Sequence, residues 1–404
     1  MEKYSRWRDP GTGIQPFLPP VPPNIDKSFL STLSNIGGYV LRPLLASLKL
    51  LLIVILALLY LVLVDVGGLL LTPLSSLRRF WRRLFSVILI RFGLVLVGFF
   101  WIPTETVSLR RGRGHAIKAQ GWPARNVKSG DVIVANWTSY IDVLYLAFRS
   151  YNTNRIALQG QPIDRSPHYF TFRFDPIFTQ IYPATNQLCR ISLWQALQLC
   201  GAYPDLEPPE QTVRMYTLKE LAKEAGDKGW GPVVVFPEAT TSNGRALLKF
   251  VPIFRECKLP EEKLQLHVMA FKYEYDNFAP AYTVGSKPLH LLKLCSQMYN
   301  TLTVKYLASN DSPSSPTFVL IPTTTSHPAP ASTTSATVTA VTSALAEEDP
   351  AGAQILALMG TIARIRRTGL GVLDKRDFLE YYWSRTGGAP ARIAVGGGRE
   401  KKRR

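Results

Sequence analysis

The chain has 404 residues, 46% of them hydrophobic, with 47 Lys and Arg against 29 Asp and Glu, a formal net charge of +18 and a pI near 9.8. That length holds one large domain or two small ones around a substantial core, and the charge calls for an anionic partner: nucleic acid, an anionic membrane face or phosphate-bearing substrates. Nucleic acid is disfavoured because the arginine pairs flank apolar segments instead of alternating with aromatics, and the four cysteines have neither Cys-x-x-Cys spacing nor histidines at metal-ligand intervals. A reduced domain facing the cytosol, with no metal site, is the simplest expectation.

Residues 1–40 contain Pro10, Pro16, Pro19, Pro20, Pro22 and Pro23 and predict an extended polar arm. A membrane segment is expected over 41–103. Within it, residues 50–71 hold seventeen Leu, Ile and Val and one charge, Asp65. Those side chains favour insertion by roughly 5–10 kcal/mol in sum, against about 3 kcal/mol for one carboxylate, so a span or a hairpin around Gly67-Gly68 is expected. About forty residues precede this run, which argues against a cleavable signal peptide. Residues 84–102 carry Arg91 at their middle and predict an interfacial helix. The arginines at 78, 79, 82, 83, 110, 111 and 113 place everything beyond on the cytosolic side by the positive-inside rule.

A globular domain is expected over 104–308. Strands are predicted at 107–109, 131–136, 156–158, 232–236 and 267–273, and helices at 141–148, 193–199 and 213–225. This alternation means an α/β fold: one domain with a mixed sheet flanked by helices. Residues 309–350, rich in Ser, Thr, Pro and Ala to about Thr342, predict a disordered insertion; residues 351–404 predict helices at 354–367 and 375–385 and a basic tail. No solenoid-length repeat is present.

Two blocks concentrate the polar chemistry. Asn136-Trp137-Thr138-Ser139-Tyr140-Ile141-Asp142 follows the strand at 131–135, and Phe236-Pro237-Glu238-Ala239-Thr240-Thr241-Ser242-Asn243-Gly244-Arg245 follows the strand at 232–235. Both open at strand ends, where α/β sites are built. The first resembles the Asn-His-x-x-x-x-Asp motif of the 1-acyl-glycerol-3-phosphate acyltransferase family, with Trp137 at the histidine position. The second is a near match to that family's Phe-Pro-Glu-Gly-Thr, with Ala239 for glycine. The opening Met1-Glu2-Lys3-Tyr4, Trp7-Arg8-Asp9, Gly11-Thr12-Gly13-Ile14 and Pro16-Phe17-Leu18-Pro19 is similar to that of the fungal lysophosphatidic acid:oleoyl-CoA acyltransferases.

The resemblance implies a glycerolipid-acyltransferase fold and transfer of a fatty acyl group from acyl-CoA to lysophosphatidic acid or another lysophospholipid. No cofactor is implied, since acyl-CoA is a substrate. The setting would be the endoplasmic-reticulum membrane, with lipid droplets as a second location and membrane lipids as contacts. In the family a histidine is the general base and the aspartate orients it; carried over residue by residue, Asp142 and Glu238 are the catalytic candidates. Thr138, Ser139, Arg190, Thr240, Ser242, Asn243, Gly244 and Arg245 are the candidates for substrate binding, with Lys249 a second cation and Arg245 suited to bidentate pairing with phosphate.

Trp137 departs from this pattern, because an indole has a donor N–H and no basic lone pair. None of the five histidines has an aspartate five positions later. Three alternatives follow: another proton acceptor, such as the substrate's phosphate or His267; catalysis by proximity and electrostatics alone; or a silent lipid-binding or trafficking protein. Asp142 has a plain alternative as a helix cap, Trp137 as core packing, and Glu238 and Arg245 as solvated charges. Ala239 predicts a loop that avoids the left-handed backbone a glycine would permit.

Overall fold

The computed structural model describes residues 3–22, 29–72, 75–109, 127–151, 176–208, 214–257, 259–260, 264–316, 318 and 349–387. Its strands are β1 (Thr104–Val107), β2 (Val132–Ala135), β3 (Ile177–Tyr182), β4 (Gln187–Ile191), β5 (Val233–Val235), β6 (Ala246–Leu247), β7 (Leu266–Glu274), β8 (Thr301–Leu307) and β9 (Arg366–Arg367). Seven of them form one mixed sheet in the order β1-β8-β7-β2-β5-β3-β4, while β6 and β9 pair separately. The centre, β7-β2-β5-β3, is parallel, with Val132 opposite both Val233 and Leu266. β2 and β5 read Val-Ile-Val-Ala and Val-Val-Val and are buried throughout, as strands covered on both faces must be.

One face is covered by α3 (Ser75–Val97), α4 (Tyr140–Tyr151), α5 (Leu193–Leu199) and α7 (Lys287–Cys295); the other by α6 (Leu218–Asp227) and α8 (Pro350–Ala363). A last helix, α9 (Val372–Thr386), packs Phe378 against Trp7 and Phe17 of the arm at 5.5 and 5.7 Å between ring centroids. The arm over 3–22 thus docks on the domain instead of extending from it. Its partner helix lies at the far end of the chain.

The fold moves several predicted boundaries. The strand expected at 107–109 ends at Val107, because Leu109 N donates to Asp311 Oδ2 at 2.8 Å and leaves the ladder. α6 starts at Leu218, not 213, where Thr217 and Glu220 form a reciprocal cap and Tyr216 bridges to Leu188. The serine-rich stretch begins inside the domain: Ser312 Oγ donates to Leu266 O at 2.5 Å, and Ser314 Oγ accepts from Leu266 N at 3.2 Å. The strand expected at 156–158, the arginines at 110, 111 and 113, residues 319–348 and the basic tail lie outside the described residues.

The helix α1 (Phe29–Tyr60) continues through a π-helical stretch, Leu61–Val66, into α2 (Gly67–Leu70). Leu41–Leu70, in which an 18-residue window reaches a mean hydropathy of 2.9, is long and apolar enough to cross a membrane; at 1.5 Å per residue its length is about 45 Å. Leu44, Leu48, Leu51, Ile55, Leu58 and Val62 are exposed. Elsewhere α1 meets the domain, with Lys49 Nζ donating to Gln297 O at 2.8 Å. Asp65 faces Arg82 at 3.9 Å. Arg91 of α3 donates to Phe99 O at 3.1 Å and Phe100 O at 2.5 Å, so carbonyls satisfy its charge while Leu94 enters the core.

Candidate active site

Because β2 and β5 are parallel neighbours, the two motif loops emerge side by side at their C-terminal ends, and main-chain bonds join them. Asn136 turns its amide onto β7: Oδ1 accepts from Phe271 N at 2.7 Å, and Nδ2 donates to Phe271 O at 3.2 Å and Thr138 Oγ1 at 3.1 Å. Trp137 N donates to Glu238 Oε1 at 3.3 Å, and Trp137 O accepts from Ser242 N at 3.0 Å. Thr138 O accepts from Tyr282 N at 2.9 Å.

Glu238 is fully buried, and its second oxygen, Oε2, accepts from Leu248 N at 3.2 Å. Burial pushes its pKa up to about 8, against the lowering effect of the Leu248 and Trp137 amides. It faces inward, as a brace between the loops, instead of outward to an acceptor. Asp142 is fully buried in the first turn of α4. Its Oδ2 accepts from Thr138 N at 2.7 Å and Ser139 N at 2.8 Å, and its Oδ1 from Tyr273 Oη at 2.5 Å. Burial raises its pKa to about 7, with the Tyr273, Thr138 and Ser139 bonds opposing. The carboxylate caps the helix and loop.

No histidine replaces the missing imidazole among the described residues. His267 sits at the start of β7, with Nε2 3.1 Å from Asp131 Oδ2; four residues separate it from Phe271, about 13 Å along the strand. His290 does touch the first motif, a contact no spacing in the sequence announces. Its Nε2 lies 3.2 Å from Ala281 O, a carbonyl that can only accept, so Nδ1 accepts from the Tyr140 hydroxyl at 3.0 Å. Burial pushes its pKa down to about 4, so the ring is neutral and both nitrogens are engaged.

The Trp137 ring stacks on Phe236 at 4.9 Å and 19°. It lines a cavity of about 20 Å³ with Thr179, Gln180, Phe236, Ala239 and Thr240. The buried indole Nε1–H and Gln180 Oε1 both lack hydrogen-bond partners among the described residues. That volume suits one small polar group.

The second loop contains two left-handed residues, Ala239 at φ 52° and Gly244 at φ 73°. Ala239 therefore takes the backbone its Cβ was expected to avoid. Ser242 Oγ bonds Glu238 and Gly244 N, and Asn243 binds the arm, its N donating to Pro16 O at 2.9 Å and its Nδ2 to Gln15 O at 2.7 Å and Leu18 O at 3.0 Å. Of the residues expected to bind substrate, Thr138, Ser139, Ser242 and Asn243 are buried in this framework, Gly244 packs beside Thr138, Thr240 reaches the cavity wall, and Arg245 is exposed. Arg190 is not brought to the site: it lies on β4 over the Trp230 ring at 3.9 Å, alternating away from Cys189 and Ile191 on the site face.

No family profile matches the chain, and no solved structure does. It is similar to a Schizosaccharomyces pombe protein named "Putative lysophosphatidic acid:oleoyl-CoA acyltransferase", at 25% identity over 270 residues, which is 66% of this chain and 73% of that protein.

Proposed function

We propose that the protein is a membrane-bound acyltransferase that moves a fatty acyl group, oleoyl above all, from acyl-CoA to lysophosphatidic acid to give phosphatidic acid. The observation that carries the reading is the pair of motif loops braced together by Glu238 at the C-terminal ends of the central strands β2 and β5, with Trp137 lining a small cavity beside them. The S. pombe relative supports the same reaction class. α1 anchors the chain in the endoplasmic-reticulum membrane, or at lipid droplets, with the domain in the cytosol.

In this reading the acceptor hydroxyl oxygen attacks the thioester carbonyl carbon, the C–S bond breaks, and the CoA thiolate leaves. The indole N–H donates to the carbonyl oxygen as negative charge develops there. The hydroxyl proton passes to the acceptor's own phosphate monoester, since neither His267 nor His290, the histidines among the described residues, is placed to take it.

Labelled oleoyl transfer to lysophosphatidate by membranes containing the chain tests this. Trp137→Phe keeps the stack on Phe236 and removes the donor, and is expected to lower turnover by about 10²–10³-fold with folding intact, the usual effect of losing one oxyanion donor. No product from the folded wild type would refute the reading. The second reading, a catalytically silent lipid-binding protein, is favoured by the missing imidazole; lysolipid binding without turnover would establish it.

A further inference from the structure

Further along the second loop, where Asn243, Gly244 and Arg245 line it, lies a groove of about 640 Å³, within the range of about 300–1,000 Å³ typical of small-ligand sites. Its walls come from four separate parts of the chain. The arm contributes Arg8, the second motif Arg245, β7 Lys272, and the turn after α8 Arg364 and Arg366. No carboxylate lines it among the described residues. Asp9, next to Arg8, is engaged elsewhere: Oδ1 accepts from Gly369 N at 3.1 Å, and Oδ2 from Thr12 N and Oγ1 at 2.8 and 2.7 Å.

Each wall is fixed by main-chain structure. Ala246, next to Arg245, is in register with Arg366 across the β6–β9 pair. Arg364 holds the left-handed C-cap of α8 at φ 54°. Lys272 follows Phe271, the residue paired with Asn136, and the three bonds of Asn243 hold the arm wall in place. Cations gathered on fixed walls offer a multiply charged anion several charge-assisted bonds at once, and Arg245, Lys272 and Arg366 are spaced around the groove to give them.

We propose that this groove binds a ligand bearing two or more phosphates. Resting on the acyltransferase reading, that ligand is the nucleotide end of acyl-CoA, with its 3′-phosphate and diphosphate. A phosphorylated inositol head group has the same chemistry, and the test separates the two. Free coenzyme A, 3′-dephospho-coenzyme A and inositol 1,4,5-trisphosphate are titrated calorimetrically into the full chain in detergent. The proteins compared are the wild type, Arg245→Gln/Arg366→Gln, Lys272→Gln and, away from the groove, Arg190→Gln.

The expected result is a rise of tenfold or more in the coenzyme A Kd in the double variant, equal to about 1.4 kcal/mol, a smaller rise in Lys272→Gln, and no change in Arg190→Gln. The dephospho form should bind the wild type more weakly than coenzyme A. Binding of the inositol phosphate alone, lost in the same variants, supports the polyphosphate site and assigns it to lipid. Wild-type affinity for both probes in a double variant of unchanged Tm, or no binding of either probe to the wild type, overturns the proposal. Groove-dependent coenzyme A binding in a protein that transfers no oleoyl group would refute the acyltransferase reading and leave the groove standing.

Discussion

Asp142→Asn separates the capping role of this carboxyl from a role in chemistry. Asn keeps an oxygen for the Thr138 and Ser139 amides and turns its NH₂ toward the Tyr273 hydroxyl, which can rotate to accept. Below about pH 4, where the wild-type carboxyl is protonated in both states, the variant should lie within about 1 kcal/mol of wild type. Asp142→Ala, which leaves three donors without an acceptor, should lose on the order of 3–6 kcal/mol. A carboxyl whose native pKa is raised holds its proton more tightly when folded, so its contribution is complete below about pH 4 and is lost as pH rises through its native value of about 7. The shift from 3.8 to about 7 corresponds to about 4 kcal/mol in full, of which roughly 2.5 kcal/mol falls between pH 5 and 8.5, and Asn abolishes it. Glu238, raised to about 8, keeps part of the slope in both proteins. Fluorescence-detected urea unfolding at pH 5 and 8.5 measures the difference. Identical pH slopes would refute the electrostatic argument, and a loss of activity beyond about 100-fold without a stability change would show that the negative charge takes part in the chemistry.

Two further substitutions probe the second loop. Ala239→Gly removes a Cβ from a left-handed position and is expected to stabilise the protein by about 0.5–1 kcal/mol, because relief of the left-handed penalty exceeds the entropy added to the unfolded chain; a lower Tm would contradict this. Asn243→Ala strips two side-chain bonds from the arm, about 1 kcal/mol each, so residues 8–20 should become protease-sensitive before the domain unfolds. Arm and domain cleaved at equal rates would show that the remaining contacts, through Phe378, Asp9 and the Asn243 main chain, are enough to hold the arm.

The centre of the sheet was legible because β2 and β5 are branched apolar runs next to turn-forming motifs and β7 has an apolar middle, Val268 to Phe271, while α4, α5, α8 and α9 have helical periodicity. β3 and β4 were not, since Ile-Phe-Thr-Gln-Ile-Tyr buries Thr179 and Gln180 and so lacks a clean alternation. The two motif loops could be read from sequence, but the direction of their side chains could not. Glu238 and Asn243 are both polar loop residues, yet one braces the first motif and the other fastens an arm 228 residues away. His290 and the Arg8–Arg366 wall depend on tertiary approach, which no local pattern encodes.

The loop around residue 137 is held by its backbone: the amide on Glu238, the carbonyl on Ser242, and neighbouring anchors at Asn136 and Thr138. None of these bonds uses the indole. The position is a socket whose occupant can be exchanged while the frame around it stands, limited by the stack on Phe236 and the small space beyond. A histidine placed there would inherit the same entry angle without retuning the loop. Change of chemistry and preservation of architecture are separable at this position, so a lineage could trade a base for a donor in a single substitution without passing through an unfolded ancestor.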